Sequence, residues 1–194
     1  MILNYLFSAT KVSAWLVMAL IIASCDSNRD NLPLLEPKVM TDALFSVVSA
    51  DRYVYTKYVI NRLVNQEALI KASEHWQDDR ALPLPAQMFR MGAEKALDSN
   101  ANFTYSLLSL WPINKQNAPR TPTEKTGLQF LVGNPGKNFY QQEILSGRRY
   151  FTAIYADTGM SKACIECHNK HKDSPRKDFK MGDIMGGVVI RVPL

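Results

Sequence analysis

Cys164, Cys167 and His168 fall within five consecutive residues, Cys-Ile-Glu-Cys-His. Two thiols and an imidazole this close must share one turn of chain, and the surrounding fold must leave room for whatever they hold. C-x-x-C-H is the attachment signature of c-type haem. The thiols add across the two haem vinyl groups, and the two-residue spacing keeps both thioethers on one face. The adjacent imidazole then meets the iron as proximal ligand. With three Cys and three His in 194 residues, chance supplies about 0.001 such motifs. Cys164, Cys167 and His168 are therefore expected to bind one covalent haem c, with His168 on the iron. Three alternatives rank below this. A zinc site could use Cys164, Cys167 and either His168 or His171, but it lacks a second pair of ligands. A redox C-x-x-C wants a thioredoxin-like βαβ context. A plain disulfide would fit an oxidising compartment.

The remaining cysteine, Cys25, follows an apolar run from Val12 to Ala23. That run has the length of a signal-peptide core and is shorter than the ~18 apolar residues that mark a membrane span. Ile22-Ala23-Ser24-Cys25 resembles a bacterial lipobox, in which the Cys thiol carries the lipid. The expected organisation is a lipoprotein signal over residues 1–24, a polar tether over 25–38 and a folded domain over 39–194. An uncleaved anchor helix and simple secretion are the alternatives. All three place the domain outside the cytoplasm, and the lipoprotein reading tethers it to the periplasmic side of a bacterial membrane.

The chain is 46% hydrophobic and 21% charged, which is a globular composition. The net charge of +5 is spread among acids, except for the basic stretch Lys170–Lys180. That stretch reads as a solvated loop, or as a cationic rim for haem propionates or an acidic redox partner. No nucleic-acid motif accompanies the charge, so no nucleic-acid partner is expected.

Apolar residues spaced by three and four predict a long helix from Val39 to about Ala72, with Thr41 as N-cap and Tyr55 and Tyr58 facing the core. A polar loop follows over Ser73–Pro83, then a helix over Ala86–Leu97 opened by Pro85. Strands are expected at Phe103–Leu110, Tyr150–Tyr155 and Val188–Val192, and a helix at Pro122–Val132. Asn134-Pro135-Gly136 is a turn, and the haem motif falls in a loop or short helix before the last strand. The fold class is α+β: a long N-terminal helix packed on a small antiparallel sheet.

The segments around the motif carry a resemblance. Arg52-Tyr53-Val54-Tyr55, Leu82 to Ala86, Ser109 to Asn114 with Asn117-Ala118-Pro119, Cys164 to His168, and Gly182-Asp183 through Pro193 occur in order over residues 40–194. In this the chain resembles the c-type haem PAS-like family, found in cyanobacterial haem proteins and as sensor modules of histidine kinases and chemoreceptors. The resemblance implies a PAS-like antiparallel sheet behind a long helix, and haem-based redox or ligand sensing. The best-described relatives use a Cys as second axial ligand. Here Cys25 is the one cysteine left, and it lies in the lipobox.

Candidate distal iron ligands are Met88 and Met91, on the helix after the Pro-rich turn, and His75 in the polar loop. Met181 and Met185 follow the motif too closely, and an iron without a protein ligand is the remaining alternative. His171 reads as a solvated loop residue. Three functions follow in rank order: an extracytoplasmic electron carrier, a haem-based redox or diatomic-gas sensor, and a haem peroxidase. The first two need a redox or signalling protein partner.

Overall fold

The computed structural model describes residues 35–159 and 161–194. The run Val12–Ala23, Cys25 and residues 26–34 of the expected tether lie outside the described residues. Among the described residues no helix is long and apolar enough to cross a membrane.

Helix α1 spans Pro37–Val54, with proline in its first turn where its missing N–H is harmless. It continues without a break as a π-helix over Tyr55–Gln66. The helical run therefore begins two residues before the sequence-based start and stops six before its end. Ala68 adopts φ 51° just beyond it and turns the chain away. Thr41 is not the N-cap. It lies inside α1, fully buried, with its hydroxyl donating to the Lys38 carbonyl at 3.0 Å. Two-residue strands β1 (Ala72–Ser73) and β2 (Leu82–Pro83) pair in parallel and pinch the polar loop closed.

Helix α2 spans Pro85–Asp98 and strand β3 Thr104–Leu108. Helix α3 spans Pro122–Gly133 and is opened by a capping box. The Thr121 hydroxyl accepts the Glu124 N–H at 3.1 Å, and the Glu124 carboxylate accepts the Thr121 N–H at 3.0 Å. Strands β4 (Phe139–Leu145) and β5 (Arg148–Thr158) form a hairpin. Its turn residues Ser146 and Gly147 both have positive φ, 50° and 79°, as a two-residue turn matched to strand twist requires. Helix α4 spans Lys162–Lys170 and strand β6 Ile184–Pro193. The motif thus sits on a short helix before the last strand.

The four longer strands form one antiparallel sheet in the order β3-β6-β5-β4. Alternation along β5 and β6 sends Ala153, Tyr155, Val188 and Ile190 to one face, against Leu44, Phe45 and Val48 of α1 and Phe89 of α2. Ile154 and Val189 point to the other face, against Leu128 and Leu131 of α3. The fold is α+β as expected, with the sheet covered on both faces. Burial of both faces makes β5 and β6 near-continuous apolar runs, as in central strands generally.

Candidate functional site

Helix α4 carries the motif. Ser161 caps it, accepting the Cys164 N–H through its hydroxyl at 3.3 Å. The same hydroxyl lies 3.0 Å from Cys164 Sγ. Cys164, Cys167 and His168 are three and four residues apart, so they share one helix face. All three line a single cavity of about 720 Å³, within the ~300–1,000 Å³ typical of cofactor sites. Both thiols are free.

Burial holds the His168 imidazole below its ordinary range; Asp157 pulls the other way, and His171 and Arg52 reinforce the burial. The ring is therefore neutral at pH 7, the form that binds a metal. Its Nδ1 is buried and has no hydrogen-bond partner among the described residues. Leaving such an atom unpaired costs roughly 1–3 kcal/mol, so the site is built for a partner that the surrounding side chains do not supply. Burial, with Glu74 and Cys164 nearby, pushes the Cys167 thiol up. A reactive redox cysteine is tuned the opposite way. No group of three or more His, Cys, Asp or Glu among the described residues is arranged to hold a metal ion.

The other walls come from segments distant in sequence. From α1 and its π-helical extension come Arg52, Thr56, Ile60, Asn61, Val64 and Asn65. Their spacing of four to five residues follows the wider π winding, and π-helical turns are frequent at functional sites. The same winding carries Tyr58 outward. It is 56% exposed and does not face the core as expected, whereas the half-buried Tyr55 donates its hydroxyl to the Pro83 carbonyl at 2.8 Å. Ser109, Trp111, Pro112, Ile113 and Asn114 form a further wall. The Ser109 hydroxyl fixes this segment by donating to the Met185 carbonyl at 2.6 Å and accepting the Trp111 N–H at 2.9 Å.

Arg52 and Arg90 are the cations on the walls. Arg52 Nη1 lies 2.5 Å from Asp157 Oδ1, both side chains largely buried, which joins α1 to the end of β5. None of Lys170, Lys172, Arg176, Lys177 or Lys180 lines the cavity. The cations of the basic stretch therefore do not wall the cavity. Two thiols and an imidazole on one helix face, a cavity of cofactor size and two guanidiniums on its walls fit a covalently held haem.

Of the distal candidates, His75 lines the cavity, and Met88 and Met91 do not. Met185 lines it from β6, 7% exposed. A Cβ on Gly159 would meet both Met185 Sδ and Ile165 of α4, which places Met185 beneath the motif helix. Met181 is 55% exposed. His171 is not a solvated loop residue. It lines the cavity, with its side chain 19% exposed and Nε2 3.0 Å from Glu74 Oε1. Sequence reading missed Thr56, Asn61, Glu74 and Asp157. For Thr56 the signal was its four-residue spacing from Arg52; for Asn61, Glu74 and Asp157 there was none.

The Tll0287-like family matches residues 18–193. The chain belongs to the Tll0287-like family. This bears out the resemblance carried by the segments over 40–194, several of which the fold brings together around the cavity. The chain is also similar to the crystal structure of the cyanobacterial haem-protein Tll0287, at 17% identity and a TM-score of 0.48, over 78% of this chain and 95% of that one. No curated protein matches.

Proposed function

We propose that this Tll0287-like protein is an extracytoplasmic monohaem c-type cytochrome that transfers electrons. The observation that carries the reading is the convergence of Cys164, Cys167 and His168 on one cavity of about 720 Å³. Membership of a family whose namesake is a haem protein supports it. Cys164 and Cys167 tether the haem by thioethers, and His168, neutral at pH 7, is the proximal ligand. Arg52 and Arg90 offset the propionate charges. His75 is the second ligand, being the one of His75, Met88 and Met91 that lines the cavity. When bound, the haem supplies a one-electron couple. The protein fixes its ligands and limits water around it. Lipidation at Cys25 holds the domain on the periplasmic side of the membrane, within reach of a redox partner.

A second reading, a haem-based redox or gas sensor signalling through a partner, is favoured by one observation. The wall formed by Arg52, Thr56, Ile60, Asn61, Val64 and Asn65 offers no sulfur and no imidazole. Absorption spectra of ferric and ferrous protein, with and without CO, separate the two. The carrier reading expects a six-coordinate low-spin iron in the wild type that becomes CO-reactive in His75→Ala. A wild-type ferrous iron that is high-spin, binds CO and is unaffected by His75→Ala points to the sensor.

A further inference from the structure

The stretch after α4 reads in sequence as a solvated basic loop, and one of its cations, Arg176, is drawn back against the fold, its side chain 25% exposed. Arg176 has its guanidinium carbon 4.3 Å from the Phe179 ring centroid and 4.7 Å from that of Trp111. Its Nε meets Asp178 Oδ1 at 2.7 Å and its Nη2 meets Asp183 Oδ2 at 3.0 Å. The buried Ser174 holds the backbone there, its hydroxyl donating to the Arg176 carbonyl at 2.7 Å. Phe179 is 3% exposed and stands edge-on to the His168 imidazole, with centroids 6.0 Å apart and planes at 89°. Asn169, the residue after His168, grips Phe179 on both sides. Its Oδ1 accepts the Phe179 N–H at 3.0 Å and its Nδ2 donates to the Phe179 carbonyl at 2.9 Å.

We propose that Arg176 and Phe179 form a positioning stack for the His168 imidazole, through which Arg176 also sets the charge environment of the axial ligand. The inference rests on the haem reading above and adds a control on it. Two features carry it. Ring and loop are locked to each other through Asn169, so the Phe179 edge restricts rotation of the imidazole about its χ2 bond. The guanidinium is held on the Phe179 ring by cation–π attraction and two carboxylates. Its distance from the imidazole is capped at about 10 Å by the two centroid separations. A positive charge at that range favours ferrous over ferric iron. Arg176 and Phe179 are positioning residues, and neither lines the cavity.

The test uses the full-length, haem-loaded protein. Arg176→Gln should lower the ferrous-to-ferric ratio at a fixed applied potential by roughly threefold to tenfold, a tenfold change being about 59 mV for a one-electron couple. Arg176→Lys, which keeps the charge, should recover most of it. Phe179→Leu should shift the ferric electron-paramagnetic-resonance g-values while the haem stays attached. A purely structural role would lower stability and leave potential and g-values in place. If Arg176→Gln does not fold, Phe179→Leu carries the test. Unchanged potential in haem-loaded Arg176→Gln, or unchanged g-values in haem-loaded Phe179→Leu, overturns the proposal, as does Arg176→Lys failing to recover the ratio lost in Arg176→Gln. Loss of covalent haem from the wild type itself overturns instead the reading beneath it.

Discussion

His171 Nε2 lies 3.0 Å from Glu74 Oε1, while its Nδ1 accepts the Asp173 backbone N–H at 3.2 Å. Both ring nitrogens are engaged, and the accepting Nδ1 puts the proton on Nε2, which donates to Glu74. Glu74 is tied in turn to α2, its carbonyl accepting from Gln87 Nε2 at 2.7 Å. The contact is a clasp between the polar loop and the end of the motif helix, and it leaves His171 no lone pair for iron.

The first prediction is a contrast between two histidines. His171→Ala should leave the ferric and ferrous absorption spectra of the haem-loaded protein unchanged. Glu74 is 45% exposed in this pair, so the stability loss should be no more than about 1 kcal/mol. His75→Ala should change the spectra. A spectral change in His171→Ala with none in His75→Ala would reverse the ligand assignment.

A second prediction concerns the far face of the sheet. Arg191 on β6 meets Glu124 at 2.7 Å and Glu143 at 2.8 Å, and the three side chains are 13%, 4% and 7% exposed. Removing the shared cation strands two buried carboxylates. Arg191→Met should therefore destabilise by roughly 3–5 kcal/mol, read as a lower urea midpoint. Adding Glu124→Gln and Glu143→Gln should recover part of the loss. A loss below about 1 kcal/mol for Arg191→Met would show that the network is not what holds this face.

The same network fixes a pH dependence. Burial raises the Glu143 pKa, but hydrogen bonds from Thr152 and Arg191 outweigh it and hold the carboxyl below its ordinary 4.5. A group depressed by folding contributes stability that is present above its unfolded pKa and lost as pH falls through the folded value. Urea midpoints should hold steady down to about pH 4.5 and fall below it. In Glu143→Gln the fall should be shallower. Parallel acid profiles for the two proteins would assign the acid loss to other groups.

Gly127 on α3 is a packing requirement. A Cβ there would lie 2.4 Å from Ile154 Cδ1 and 2.7 Å from Phe139 Cδ1. Gly127→Ala gains helix propensity but overpacks the α3–sheet contact, so a net loss of about 1–3 kcal/mol is expected. Thermal unfolding of the variant above the wild-type midpoint would mean that both side chains move aside freely.

How much was legible in the sequence depended on burial. The long helix showed a three-and-four spacing because Leu44 and Val48 pack on the sheet from one side. Strand β4 went unseen because it is an edge strand with Gln141, Gln142 and Glu143 in its middle, so no apolar alternation marks it. The last strand is expected only from Val188, yet Gly186 and Gly187 already lie inside β6. A Cβ on Gly186 would lie 2.5 Å from the Leu108 carbonyl oxygen, and one on Gly187 2.8 Å from Leu128 Cδ2. Those glycines serve close packing, which a linear reading cannot distinguish from a turn. The motif itself was legible because its chemistry is local. The walls built by Thr56 to Asn65 were not, because the π winding changes which residues face inward.

The lipobox reading has its own test outside the described residues. Labelled palmitate should be incorporated into the wild type, and Cys25→Ser should abolish labelling and release the protein or leave its signal uncleaved. Unchanged membrane retention with an intact N-terminus would support an uncleaved anchor instead.

Covalent haem at Cys164 and Cys167 is read from the intact mass of protein matured with a haem-attachment system, measured after acid-acetone extraction. The wild type should carry the added mass of one haem, Cys164→Ala and Cys167→Ala should each weaken attachment, and the double variant should carry none. A wild-type chain that gives up all its haem to the solvent and shows only the polypeptide mass would contradict covalent attachment.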